Sequence, residues 1–192
     1  MDSGNVEKII SNDDFNALKA VWKQGFGDDD EFIDYFFTHY DNDASRVFHR
    51  NENGEIVAQL HAFIFEDNTC NNKGCYIYGV TTLPKYRGKG IAATMIKSTL
   101  NTLKAKGVAY AVLIAEKPQL QAWYETLGFI KMPHTIEVRG INDNMNFAME
   151  DITLNKGLYY LLNSNTTQFT TKIHIPQNKW LNLFLGHCNN RD

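Results

Sequence analysis

The stretch Gly79-Val80-Thr81-Thr82-Leu83-Pro84-Lys85-Tyr86-Arg87-Gly88-Lys89-Gly90-Ile91-Ala92 concentrates residue types that hold an anion. Arg87-Gly88-Lys89-Gly90 falls where an extended run hands over to a helical one. Backbone N–H groups at a helix start, with the helix dipole behind them, attract negative charge. Glycines let the backbone approach a phosphate closely, and Arg87 and Lys89 add positive charge. A P-loop would need G-x4-G-K-[ST], which the chain lacks. Gly88-Lys89-Gly90-Ile91-Ala92-Ala93 does fit the dinucleotide pattern G-x-G-x-x-A, and the acid Glu116 closes the next apolar run. Spacing opposes it: residues 81–87, with Pro84 among them, separate Val80 from Gly88, whereas the first glycine of that fingerprint follows its strand almost at once. A Gly-rich turn without a ligand is the plain alternative.

Other clusters suit structure better than chemistry. Asp28-Asp29-Asp30-Glu31 precedes Phe32, Ile33, Phe36, Phe37 and Tyr40, so the acids cap and charge-match a helix rather than hold a metal. His61 sits inside a long extended run, where a packed or hydrogen-bonded role is the ordinary one. Cys70, Cys75 and Cys188 are odd in number and lack a C-x2-C pair. They read as reduced thiols, and no four-ligand zinc set can be assembled, so no metal is expected. The G-x-S-x-G elbow of serine hydrolases is absent. Nineteen basic against 22 acidic residues give a net charge of -3, which does not favour nucleic acid. At 43% apolar and 21% charged, 192 residues describe a globular chain with no run near the ~20 apolar residues of a membrane helix. Met1-Asp2-Ser3-Gly4-Asn5 lacks the basic and apolar regions of a signal peptide, and a cytoplasmic protein without a membrane partner is expected.

The elements that must position the loop follow from periodicity. Ser11 with Asp14 three residues on marks a helix start, and Phe15, Leu18, Val21 and Trp22 recur at helical spacing up to Gly25 and Gly27. An aromatic helix through Phe32 to Tyr40 follows, with core burial the first reading of its side chains and lining of a substrate pocket the second. Arg46 to Arg50 and Glu55 to Phe65 read as strands around the Asn51-Glu52-Asn53-Gly54 turn, with Ile56, Ala58, Leu60, Ala62 and Ile64 on one face. Asn68 to Gly74 reads as a polar loop and Cys75 to Thr82 as a strand. Ala92, Met95, Ile96, Thr99, Leu100 and Leu103 form a helical stripe closed by Lys104, Lys106 and Gly107. Tyr110 to Ala115 is the near-continuous apolar run of a strand covered on both faces, so strand, helix and strand make a βαβ unit. Pro118 opens a helix carrying Leu120, Trp123, Tyr124 and Leu127, closed by Gly128. Beyond Phe129, Glu137 to Arg139 and Phe169 to Ile175 read as strands and Lys156 to Leu162 as a short helix.

Two motifs together resemble the GNAT superfamily of acyl-CoA-dependent N-acetyltransferases. Arg87-Gly88-Lys89-Gly90-Ile91-Ala92 matches its [RQ]-x-x-G-x-[GA] motif, and Trp123-Tyr124-Glu125-Thr126-Leu127-Gly128-Phe129 matches its aromatic-Tyr and Gly-Phe motif. The resemblance is clear over about residues 45 to 130. It implies that the pantetheine arm of acetyl-CoA pairs with the backbone at Val80, Thr81 and Thr82, and that the pyrophosphate lies on the amides of Arg87, Gly88, Lys89, Gly90, Ile91 and Ala92. It also implies a bulge at Gly79 that splays the strand ending at Thr82 from the strand through Tyr110, opening a wedge for the thioester. Tyr124 would protonate the departing thiolate, a chemically sound role because a phenol near pKa 10 can donate to a thiolate near about 8.5 once positioned. Glu116 is the leading candidate for the base, with Glu66, Asp67 and His61 behind it. Trp22, the Phe26-Gly27-Asp28-Asp29 turn and the aromatic second helix resemble the Eis-like branch, without that branch's extra C-terminal domain.

The expected fold is α/β, a mixed and mostly antiparallel sheet with one parallel, splayed pair near its centre and helices on both faces. Residues 1–135 form the N-acetyltransferase core, and 136–192 complete the same domain with strands and a helix. The expected function is acetyl transfer from acetyl-CoA to a primary amine of a small molecule or peptide, by direct attack in a ternary complex. A catalytically idle CoA-binding or sensing module on the same scaffold is the alternative. Pairing into a homodimer, frequent in this superfamily, is the oligomeric expectation.

Overall fold

In the computed structural model, the described residues are 12–39, 45–67, 72–115, 117–131 and 157–162. Among them the order is α1 (Asn12–Phe26), α2 (Asp30–His39), β1 (Ser45–Arg50), β2 (Ile56–Asp67), β3 (Asn72–Thr82), a 3-10 turn (Pro84–Tyr86), α3 (Ile91–Ala105), β4 (Val108–Ile114), α4 (Pro118–Thr126), β5 (Ile130–Lys131) and β6 (Gly157–Leu161). The strands pair in the order β1-β2-β3-β4-β6-β5. β3 and β4 run parallel, while β1–β2, β4–β6 and β5–β6 are antiparallel. This is the mixed, mostly antiparallel sheet expected from the sequence. The chain divides into two compact units, Met1–Phe63 with Tyr76–Lys106, and Ile64–Cys75 with Gly107–Asp192, so β2 and β3 each run from one unit into the other.

In the first unit, α1 and α2 are joined by a turn that the acidic run closes. Asp29 caps α2, its carboxylate accepting from the Phe32 N–H at 2.7 Å. Asp28 accepts from Trp22 Nε1 at 2.8 Å, and Asp30 pairs with Lys23 at 2.7 Å. Asp28, Asp29 and Asp30 are thus structural, as their position at the helix start implies. Trp22 is the centre of the packing: Phe36 lies 4.4 Å from its ring centroid and Tyr78 5.6 Å. Ile33, Phe36 and Phe37 are buried, which puts the aromatic face of α2 in the core. Tyr40 and Ser11 lie outside the described residues.

Several sequence expectations need correction. Gly25 does not end α1 but lies inside it, because Thr81 of β3 occupies the space its Cβ would take. Gly27, with φ +78°, ends the helix. β2 is buried on both faces from Ile56 to Phe63, not on one. Gln59 accounts for the polar side: its Nε2 donates to the Leu18 carbonyl of α1 at 2.9 Å. Ile64, placed inside by alternation, is 36% exposed. β3 begins at Asn72 rather than Cys75.

In the second unit, β4 is buried from Val108 to Leu113, as a strand without polar alternation should be. Gly157–Leu161 is strand β6, not a helix, and it pairs residue by residue with β4, Tyr159 opposite Val112 and Tyr160 opposite Ala111. Five residues are too few to hold a helix unaided, and two tyrosines beside an open strand edge favour pairing. Residues 137–139 and 169–175 lie outside the described residues, as do Cys70 and Cys188. Cys75 is a buried free thiol. No helix among the described residues is long and apolar enough to cross a membrane.

Candidate functional site

Local hydrogen bonds shape the glycine loop. The Leu83 N–H donates to the Val57 carbonyl at 2.9 Å, the last tie to the sheet. Pro84 opens the 3-10 turn, where its missing N–H costs nothing. The Tyr86 and Arg87 N–H groups close that turn on the Leu83 and Pro84 carbonyls. Arg87 then reaches back, its Nε donating to the Thr82 carbonyl at 2.9 Å, and so ties the loop to the end of β3. The Tyr86 phenol accepts from Asn51 Nδ2 at 2.8 Å and donates to Glu55 Oε2 at 3.4 Å, which fixes the loop to the β1–β2 turn.

Gly88 and Gly90 both have φ +76°, the left-handed region that glycine enters without penalty. A Cβ at either would meet nothing within 4 Å, so the backbone path and not crowding calls for glycine. Gly90 is the N-cap of α3; no side chain caps it, and the first turn carries no acid. The leading N–H groups of a helix have no intrahelical acceptor. Here no side chain caps them, the positive end of the dipole lies behind them, and Arg87 and Lys89 stand next in the chain, which is an anion-binding arrangement.

The first unit therefore brings Val80, Thr81, Thr82, Arg87, Gly88, Lys89, Gly90, Ile91 and Ala92 onto one continuous path from strand end to helix start. The side chains of Thr81 and Thr82 are buried, Thr81 against Gly25. Their side chains are therefore not presented to a ligand. Gly79 has φ +62°, a left-handed residue inside a strand, the conformation that a G1-type bulge uses. Its Cβ would meet the Trp22 ring at 2.8 Å and His61 Nδ1 at 3.3 Å. His61 itself is buried among Trp22, Phe36 and Phe37, with ring centroids 4.9–5.8 Å away, so it packs.

Tyr124 is placed by the end of α4. Phe129 N–H donates to the Tyr124 carbonyl at 3.2 Å and Gly128 N–H to the Glu125 carbonyl at 3.0 Å. With Gly128 at φ +96°, these are the two bonds of a Schellman cap. Its usual hydrophobic contact is the edge of Tyr124 on Phe129, centroids 5.5 Å apart. The spacing of Tyr124, Gly128 and Phe129 is thus the spacing of a helix stop. At the other end of α4, Gln121 Nε2 donates to the Ala115 carbonyl at 2.8 Å. Of the apolar residues that this helix carries, Tyr124 is buried and Leu120 is 47% exposed. Burial pushes the Tyr124 phenol well above its ordinary value, so it stays protonated. Glu116 lies outside the described residues. Glu66 is exposed and sits 3.5 Å from Lys73, and the Asp67 side chain lies outside the described residues. Sequence reading missed the clamp on Tyr86; its one visible sign is a tyrosine between two lysines in a loop that opens a helix.

A family model described as an acetyltransferase (GNAT) domain matches residues 8–131. The chain belongs to the GNAT acetyltransferase family. It thus carries a GNAT-type N-acetyltransferase domain, in a family that uses acyl-CoA. Solved GNAT structures share its fold at low identity. A GNAT family N-acetyltransferase from Escherichia coli (YhbS) in complex with CoA is 14% identical over 88% of each chain, TM-score 0.65. The ribosomal-protein-S18-alanine N-acetyltransferase from Escherichia coli is 15% identical over 84% of this chain and 96% of that one, TM-score 0.58. A spermidine N-acetyltransferase SpeG chimera from Vibrio cholerae and hSSAT is 17% identical over 81% and 93%, TM-score 0.56. No curated protein sequence matches the chain.

Proposed function

We propose that the chain transfers an acetyl group from acetyl-CoA to a primary amine of a small molecule or peptide, in a ternary complex. The observation that carries the reading is the start of α3, which no side chain caps and which left-handed Gly88 and Gly90 lead into beside Arg87 and Lys89. The pyrophosphate is assigned to the Arg87–Ala92 amides and the pantetheine arm to the main chain of Val80, Thr81 and Thr82. The neutral amine attacks the thioester carbonyl, the C–S bond breaks, and the thiolate takes the proton of Tyr124. The proton that the amine sheds returns to the phenol through solvent. Glu116 remains the candidate base for deprotonating the incoming ammonium.

The acceptor class is read from the family's chemistry; the related structures are named for an alanine of ribosomal protein S18 and for spermidine. Placement in the Eis-like branch is supported by Trp22 bound to Asp28 in the turn and by the aromatic α2. Residues 1–135 are taken as the catalytic core with 136–192 completing it, in a cytoplasmic protein that pairs as a homodimer. Thiol release from acetyl-CoA, followed across a panel of small and peptide amines, tests the function. Release that depends on an amine supports transfer. CoA binding with no release by any amine would replace transfer by the idle CoA-binding module.

A further inference from the structure

Asn51, in the turn between β1 and β2, spends its whole side-chain amide. Its Oδ1 accepts from the main-chain N–H groups of Asn53 at 3.0 Å and Glu55 at 2.9 Å, which fixes the way the amide faces. Its Nδ2 then has two protons and two acceptors, Glu55 Oε2 at 2.7 Å and the Tyr86 phenol at 2.8 Å. The turn is itself held from behind: Arg50 donates to the Gly54 carbonyl at 2.8 Å and pairs with Asp14 of α1 at 2.8 Å. The glycine loop's own bonds are local. The Tyr86 and Arg87 amides and Arg87 Nε bond no farther back than Thr82. Gly88 and Gly90 then add two residues of wide backbone freedom before α3, which are costly to order.

We infer that Asn51 is a positioning residue for the glycine loop: acting through the Tyr86 hydroxyl, the β1–β2 turn holds the loop in the shape that receives CoA. The inference rests on the CoA reading of the loop. A loop that samples other shapes binds more weakly in proportion to the time it spends in them. A clamp from a rigid turn removes that cost before the ligand arrives. Asn51 needs no contact with CoA for this, and its effect must pass through residue 86.

Calorimetry with CoA on wild type, Tyr86→Phe, Asn51→Ser and the double variant tests it. Tyr86→Phe keeps the ring and removes the hydroxyl. Asn51→Ser keeps a side-chain oxygen for the turn but lacks the Nδ2 donor. A net hydrogen bond is worth about two- to tenfold, so each single variant should weaken CoA by about that factor. The double variant should lose no more than either single one, since both remove the same tie. Trypsin gives a readout without CoA, because Lys85, Arg87 and Lys89 all lie in the loop. Cleavage there should rise by about the same factor in both single variants while cleavage elsewhere stays at the wild-type rate, a pattern that general loss of stability would not produce. If Asn51→Ser does not fold, Tyr86→Phe decides by both measurements. Unchanged CoA affinity in folded Tyr86→Phe, additive losses in the double variant, or unchanged cleavage in the loop would overturn the inference while leaving the CoA site standing. Failure of wild type to bind CoA would instead remove the CoA reading, and this inference with it.

Discussion

Tyr124 is fixed by backbone chemistry before it is available for catalysis. Its carbonyl closes the helix stop and its ring packs on Phe129, so Tyr124→Phe keeps every packing partner and removes only the hydroxyl. Loss of a positioned acid costs about 10²–10⁴-fold in rate, or roughly 3–5 kcal/mol of barrier. The expected signature is a fall in kcat with CoA affinity unchanged. Loss of CoA binding would make the residue structural, and full activity with chemistry rate-limiting would remove the acid role. The buried phenol also has a consequence for stability. An unfolded tyrosine ionises near pH 10, whereas the folded one holds its proton to higher pH. Stability is therefore whole below about pH 10 and falls as pH rises, by up to about 1.4 kcal/mol per unit. Urea midpoints at successive pH values should fall less steeply above pH 10 for Tyr124→Phe than for wild type; parallel curves would contradict the burial. The motif around Tyr124 was legible because Gly128 must take a left-handed turn, and that demand is written into the residue type.

At the scale of elements, α3 was readable end to end, and β4 over most of its length: it was expected from Tyr110 to Ala115 and instead runs from Val108 to Ile114, two residues earlier at its start. The α3 stripe repeats through four turns between Gly90 and Gly107, and β4 has no polar residue to interrupt it. β6 was misread because its five residues carry no period of their own; β4 supplies the partner that decides it. β2 was half read for a similar reason: alternation marks one buried face, but Gln59 and His61 look polar until α1 and the aromatic cluster cover them. Gly25 shows the same limit. Within a helix interior, Gly→Ala ordinarily gains about 1 kcal/mol. Here the new Cβ would collide first with the Thr81 hydroxyl and then with its Cγ2 at 3.3 Å, the two groups that alanine at 81 lacks. Overpacking costs roughly 1–3 kcal/mol, so Gly25→Ala should destabilise on balance. Paired with Thr81→Ala the penalty should shrink, a positive coupling that denaturant titrations of the four proteins would read. Additive effects would place the two residues out of contact.

The whole molecule belongs to its family by a match over residues 8–131, and it shares a fold with structures of about 15% identity. The acceptor was not legible, since no residue pattern along the chain fixes an amine's shape. Light scattering tests the homodimer: a dimer mass is expected, and a monomer mass at high concentration would dispose of it. The central claim is that CoA is held by the open amides at the start of α3. Gly90 tests it cleanly, because Asp and Asn both tolerate the left-handed backbone better than other residues and a Cβ there meets nothing within 4 Å. Like-charge juxtaposition costs several kcal/mol, so calorimetry should find CoA bound by wild type, modestly weakened in Gly90→Asn, and weakened about a hundredfold or more in folded Gly90→Asp. Equal affinity of wild type and folded Gly90→Asp for CoA would contradict it.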